Sequence, residues 1–173
     1  MPVSRNMLRP AVMLGVAAVL FFTKLGLAHV WDEDEAIFAE ISREMFELGD
    51  WIVPRFNGKV FVDKPVMMYW LMMAGYSVFG TTEFGARCAS ALVGLGTVWI
   101  TYLIGRRLFS ERVGFWAGLI LSSGVYFNVI SRAATPDIEL VFCCTLAMYA
   151  FVRSMGWNSS EDDGRADVRP RSG

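Results

Sequence analysis

Three places in the chain set ionisable side chains at the edge of apolar runs, where they could do chemistry. Asp32, Glu33, Asp34 and Glu35 are four consecutive carboxylates. Crowded like charges raise the pKa of at least one member, which suits a general base or a metal ligand. Helix capping would account for two of them, Asp32 as N-cap and Glu35 three positions on, at the positive end of the helix dipole. Asp63 and Lys64 stand directly before Pro65 and an apolar run. They read as an ion pair at a helix start, with Lys64 a compact charge placed to meet a phosphate. Asp137 follows Pro136 at the head of another apolar run, where capping competes with a direct role. Carboxylates also bind divalent ions, but no ligand spacing here marks a metal site by itself.

The segments that must position these residues are hydrophobic. The chain is 54% hydrophobic, with a mean hydropathy of +0.41 and a formal net charge of -1. Its apolar residues come in runs rather than alternation, which predicts an all-α integral membrane protein. Six tryptophans and thirteen phenylalanines fit the interfacial rings of several bilayer crossings. No basic patch with interleaved aromatics occurs, so a nucleic-acid partner is not expected. Cys88, Cys143 and Cys144 are odd in number and lack metal-ligand spacing, and they read as reduced, small hydrophobes. Gly94-Leu95-Gly96 has neither a preceding strand nor a third glycine, so it reads as helix packing.

The predicted layout has about four membrane spans and two interfacial helices. Residues 1–10 form a short basic N-terminus, and residues 11–30 the first span, long enough to cross a ~30 Å hydrocarbon core. A cleaved signal peptide is the rival, with Gly26-Leu27-Ala28 as its small-x-small site, but its apolar region is usually only ~7–15 residues. Residues 31–88 form a loop. Ile37, Phe38, Ile41, Met45 and Leu48 fall at helical spacing within it, opposite Glu40, Arg43, Glu44 and Glu47. Gly49 and Pro54 end that helix. A second, Val66–Phe79, starts behind Pro65, is too short to span and is closed by Gly80. Further spans are predicted over 89–108, 113–130 and 137–152, followed by a polar, disordered tail over 153–173. Arg5, Arg9, Arg106, Arg107, Arg112 and Arg153 fall on one side if the N-terminus is cytoplasmic, with Arg87 and Arg132 against. Loop 31–88 is then extracytoplasmic, and Asp34 and Asp137 meet at one membrane face.

The stretch from Asp34 to Phe79 resembles the N-terminal part of the lipid A aminoarabinose transferases. It also resembles the related dolichyl-phosphate-mannose protein mannosyltransferases of the GT-C superfamily. The resemblance is carried by Asp34-Glu35, Ala39–Met45 (AEISREM), Gly49–Pro54 (GDWIVP), Lys64-Pro65, Tyr69-Trp70, Phe79-Gly80 and Arg87. It continues more loosely through Asp137. It implies a glycosyltransferase of the inner membrane that takes a sugar from a polyprenyl-phosphate carrier on the extracytoplasmic side. The acceptor would be a lipid, a glycan or a protein hydroxyl. By position, Asp34 matches the family's catalytic loop aspartate, with Glu35 beside it, and Asp137 the second important acid. Lys64 matches the lysine that contacts the carrier phosphate, and Tyr69 belongs to the same substrate-binding stretch. Asp63 stands where the aminoarabinose transferases have a glutamate near a divalent metal ion, the one cofactor the resemblance implies. Ile37 stands where those enzymes have an arginine. Family members are several times longer, so the expectation is an N-terminal module, with a truncated inactive fragment or a subunit of a split transferase as the alternative. A downstream polypeptide would then complete it.

Overall fold

The computed structural model describes residues 5–27 and 33–156. Among these the chain forms α1 (Arg5–Phe22), α2 (Glu33–Leu48), β1 (Arg55–Phe56), β2 (Lys59–Val60), α3 (Val66–Phe79) and α4 (Glu83–Leu108). These are followed by α5 (Glu111–Ser123), α6 (Val125–Arg132) and α7 (Asp137–Ser154). The fold is all-α apart from the small hairpin β1–β2.

Helix α4 is the axis of the molecule, and α1, α3, α5, α6 and α7 all pack against it. Its start is set by Thr82, whose hydroxyl accepts from the Gly85 N–H at 3.1 Å. Glu83 in the first turn and Arg106 and Arg107 in the last complement the helix dipole. At 26 residues it is roughly 39 Å long, more than a bilayer core. The predicted second span, 89–108, therefore begins six positions too late, because the polar first turn dilutes the hydropathy signal without breaking the helix.

Two further boundaries differ from the sequence reading. The first span, expected over 11–30, ends as a helix at Phe22, and Lys24 takes a left-handed backbone (φ 57°). The freed carbonyls are taken by another element. Arg132 donates from Nη1 to the Leu20 carbonyl at 2.6 Å and from Nη2 to that of Thr23 at 2.8 Å. His29 and Asp32 lie outside the described residues, as does 157–173 of the expected tail. The third span, expected over 113–130, is two helices bent by 69°. The break follows Ser122-Ser123-Gly124, three poor helix formers. Gly124 closes α5 through its N–H and turns extended (ψ 126°) before α6 begins.

Among the described residues, α4 is the one helix long and apolar enough to cross a membrane alone, and the bent α5–α6 pair adds a second. Of the other two expected spans, α1 is apolar only over Leu8–Phe22, and α7 carries Asp137, Glu139 and Arg153.

Two cores organise the packing. One joins Met13, Ala17 and Phe21 of α1 with Ala91, Val98 and Tyr102 of α4, Phe127 and Ile130 of α6 and Ile138 of α7. The other joins Phe38, Ile41 and Met45 of α2 with Met68, Tyr69, Met72, Met73 and Tyr76 of α3. The predicted apolar face of α2 is thus buried, except Leu48 at its end, which is exposed. Helix α3 reaches α4 by a backbone approach: a Cβ on Gly75 would lie 2.0 Å from the Gly85 carbonyl oxygen. Gly94 and Gly96 similarly admit Ser131 and Phe142, the helix packing expected of them.

Candidate active site at the N-termini of α2, α3 and α7

Neighbours in a helix point about 100° apart, so consecutive acids of the cluster face different ways. Asp34 is exposed, whereas Glu35 is 4% exposed. Glu35 accepts from Arg87 Nε at 2.7 Å through Oε1 and from Nη2 at 2.8 Å through Oε2. Its Oε1 also accepts from the Ala134 N–H at 2.9 Å, while Arg87 Nη1 donates to the Leu25 carbonyl at 3.1 Å. This corrects the expectation that Glu35 is open for chemistry or for a capping box: both oxygens are taken by protein. The pair instead fastens four pieces of chain, the turn after α1, the start of α2, α4 and the loop before α7. Asp34 is adjacent to one end of that clamp, and Asp137 lies three residues beyond Ala134.

Lys64 is brought to the same region by the hairpin. Phe56 pairs with Lys59 across a two-residue turn, Asn57-Gly58, both at positive φ (52° and 72°). Glu44 on α2 holds that turn, accepting from the Asn57 N–H at 2.7 Å and the Gly58 N–H at 3.3 Å. Upstream, Asp50 Oδ1 accepts from the N–H groups of Ile52 and Val53, which holds its carboxyl below the usual range. The chain then delivers Lys64 with Nζ 5.9 Å from the Phe38 ring centroid and 3.8 Å from Asp63 Oδ2. Phe38 is one helical turn from Asp34 on the same face of α2, about 5.4 Å along the axis. Asp63 and Lys64 form the ion pair expected of them, both part-exposed.

The N-termini of α3 and α7 face one another across a cavity of about 300 Å³. Pro65, Met67 and Met68 line one wall, and Pro136, Asp137, Glu139, Leu140 and Cys143 the other. Asp137 is the first residue of α7, and Pro136 at the N-cap gives no side-chain cap, so the Asp137 carboxylate stays exposed at the cavity. The three charged residues singled out by the sequence are therefore linked through their neighbours: Asp34 through Phe38 to Lys64, Lys64 through Pro65 to the cavity, and Asp137 on its far wall.

Tyr69 is placed differently. It is fully buried between α2 and α3, its ring 6.5 Å from Phe38. Burial, with the nearby Asp63 carboxylate, pushes its phenol up to about 12. Its hydroxyl has no hydrogen-bond partner among the described residues, so the ring is core and the oxygen alone is left to meet anything else. As for a divalent ion, no three His, Cys, Asp or Glu side chains gather among the described residues. Asp63 has the Lys64 ammonium as its neighbour. The side chains present do not by themselves compose a metal centre around Asp63, and no step below passes through one.

The sequence reading missed Glu139, because one acid inside the apolar run after Asp137 reads as part of that run. It is 4% exposed, with Oε2 unpartnered among the described residues. The hairpin was also missed, although Asn57-Gly58 between longer side chains is the usual signal for one.

The profile of the dolichyl-phosphate-mannose-protein mannosyltransferase family matches residues 63–161, more than half of the chain. An undecaprenyl phosphate-alpha-4-amino-4-deoxy-L-arabinose arabinosyl transferase of Pseudomonas fluorescens is 40% identical over 137 residues, covering 78% of this chain and 24% of its own length. An uncharacterized protein of Aquifex aeolicus is 36% identical over 132 residues, 76% of this chain and 26% of its own. Among solved structures, ArnT from Cupriavidus metallidurans bound to undecaprenyl phosphate superposes with a TM-score of 0.78 and 31% identity. That match covers 94% of this chain and 28% of ArnT. The chain spans about a quarter of the length of each of these relatives.

Proposed function

The chain belongs to the dolichyl-phosphate-mannose-protein mannosyltransferase family and is an all-α inner-membrane protein, and on that premise we propose that it carries the donor-side half of a glycosyltransferase site. The donor is a sugar on a polyprenyl phosphate, and the acceptor is a hydroxyl of a lipid, glycan or protein. The acceptor oxygen attacks the anomeric carbon, and its proton passes to the Asp34 carboxylate. The bond from that carbon to the phosphate oxygen breaks, and the carrier phosphate leaves with the bonding pair. Lys64 neutralises the charge that develops on it. Asp137, across the cavity, orients the sugar or the incoming hydroxyl. The observation that carries this reading is the apolar cavity shared by Pro65 and Asp137, with Lys64 at its edge.

Four crossings, by α1, α4, the bent α5–α6 pair and α7, fit a bilayer setting. Leu92, Trp116, Ile120, Leu146, Met148 and Phe151 give the outward faces of α4, α5 and α7 an exposed apolar surface. The proposed orientation has the N-terminus cytoplasmic and the loop 31–88 extracytoplasmic. Both arginines that ran against it are accounted for, Arg87 by Glu35 and Arg132 by the carbonyls of α1. A companion polypeptide acting with this chain is the second reading, consistent with its spanning a quarter of its relatives.

The test is transfer of radiolabelled sugar from an undecaprenyl-phosphate donor in membranes containing the protein. Lys64→Ala should lower transfer by roughly 10²–10³-fold, the usual effect of losing one charge-stabilising donor. Undiminished transfer by that variant would remove Lys64 from the site. Transfer seen only after co-expression with a second polypeptide would decide for the split enzyme.

A further inference from the structure

Glu139 sits two residues inside α7, beyond the acid that the sequence singled out, and it lines the cavity between α3 and α7. Its side chain is 96% buried by the same measure that leaves it 4% exposed, and Oε2 has no partner among the described residues. A buried carboxylate oxygen left unpaired is costly, and such an atom in a native structure asks for a partner. Its surroundings narrow what that partner is. Met67, Met68, Leu140 and the prolines present apolar surface, and Asp137 supplies a second acid at the cavity.

A phosphate is disfavoured beside two carboxyl groups, and it has Lys64 outside the cavity. A plain hydrocarbon chain would leave Oε2 unsatisfied. A sugar ring meets both demands, with an apolar C–H face for the methionines and leucine and hydroxyl donors for the acids. At about 300 Å³ the cavity is at the small end of ligand sites, the scale of one ring rather than a long chain.

We propose that Glu139 is a sugar-contacting, specificity-determining residue, its Oε2 accepting a hydrogen bond from a hydroxyl of the carrier-linked sugar in the α3–α7 cavity. This rests on the carrier reading given above and adds a role for a residue that reading leaves unused. Lys64 then holds the phosphate, whichever sugar is attached, and Glu139 distinguishes a loaded carrier from an empty one.

Binding of three probes to the purified full chain in nanodiscs tests this: undecaprenyl phosphate, undecaprenyl-phosphate-mannose and undecaprenyl-phosphate-4-amino-4-deoxy-L-arabinose. The wild type should bind at least one loaded carrier about tenfold or more tightly than the empty one, as a hydrogen bond to a charged group allows. Glu139→Gln, which keeps the volume, should shrink that preference, and Glu139→Leu should abolish it. Both should bind empty undecaprenyl phosphate as the wild type does, which also shows that they are folded. A preference unchanged in both variants, or a wild type that prefers neither loaded carrier, overturns the role of Glu139 and leaves the carrier site standing. A wild type that binds none of the three probes overturns the carrier reading and this proposal with it.

Discussion

Asp34→Asn is expected to lower sugar transfer by roughly 10²–10⁴-fold, the range for losing a positioned general base, while carrier affinity stays near that of the wild type. The substitution keeps the side chain's size and exposed position but removes the oxygen that takes the acceptor's proton. Nothing in the packing depends on that charge, because the buried contacts at the start of α2 are made by Glu35. The effect should therefore fall on turnover and not on folding. Single-turnover transfer beside carrier binding separates the two. A variant that transfers at the wild-type rate would take Asp34 out of the chemistry. One that loses carrier binding in parallel would make it a binding residue instead.

The second large effect concerns the clamp behind the site. Arg87→Ala should destabilise the fold by about 3–5 kcal/mol, as breaking a buried ion pair from one side does. Both side chains are 6% exposed, and removal of the guanidinium strands the Glu35 carboxylate in the interior. The Leu25 carbonyl also loses its donor. Arg87→Lys should recover little, since one ammonium cannot span both carboxylate oxygens and the carbonyl as the planar fork does. The double variant Arg87→Met with Glu35→Met should recover much of the loss, because it leaves no orphaned charge. Thermal unfolding in detergent reads all of these. An Arg87→Ala protein within about 0.5 kcal/mol of the wild type would behave like a surface substitution and would contradict a structural clamp.

Much of the frame was legible from local patterns. The α2 and α3 helices follow from apolar spacing between Gly49, Pro65 and Gly80, which act within a turn or two of themselves. The α4 start was misplaced because Thr82, Glu83 and Arg87 are polar, yet Thr82 caps and Arg87 is neutralised from another helix. No local rule foresees an arginine whose partner is 52 positions away. The early end of α1 has the same origin: its last carbonyls are taken by Arg132, from α6. The bend at Gly124 was written in Ser122-Ser123-Gly124, but hydropathy averaged across it. At the site, the sequence singled out Asp34, Lys64 and Asp137 as a set. It could not separate Asp34 from Glu35, since only the fold decides which of two adjacent acids turns inward. Glu139 stayed hidden because a buried acid looks like a single polar letter in an apolar run.

The central claim is that Lys64, Asp34 and Asp137 surround one place where the phosphate end of a polyprenyl carrier lies. A diazirine-bearing polyprenyl phosphate, photolysed in membranes containing the protein and mapped by mass spectrometry, tests it without requiring turnover. Adducts within residues 63–69 and 134–143, lost in Lys64→Ala and competed by undecaprenyl phosphate, are the expected result. Adducts elsewhere, as on α5, or labelling indifferent to Lys64, would contradict the claim.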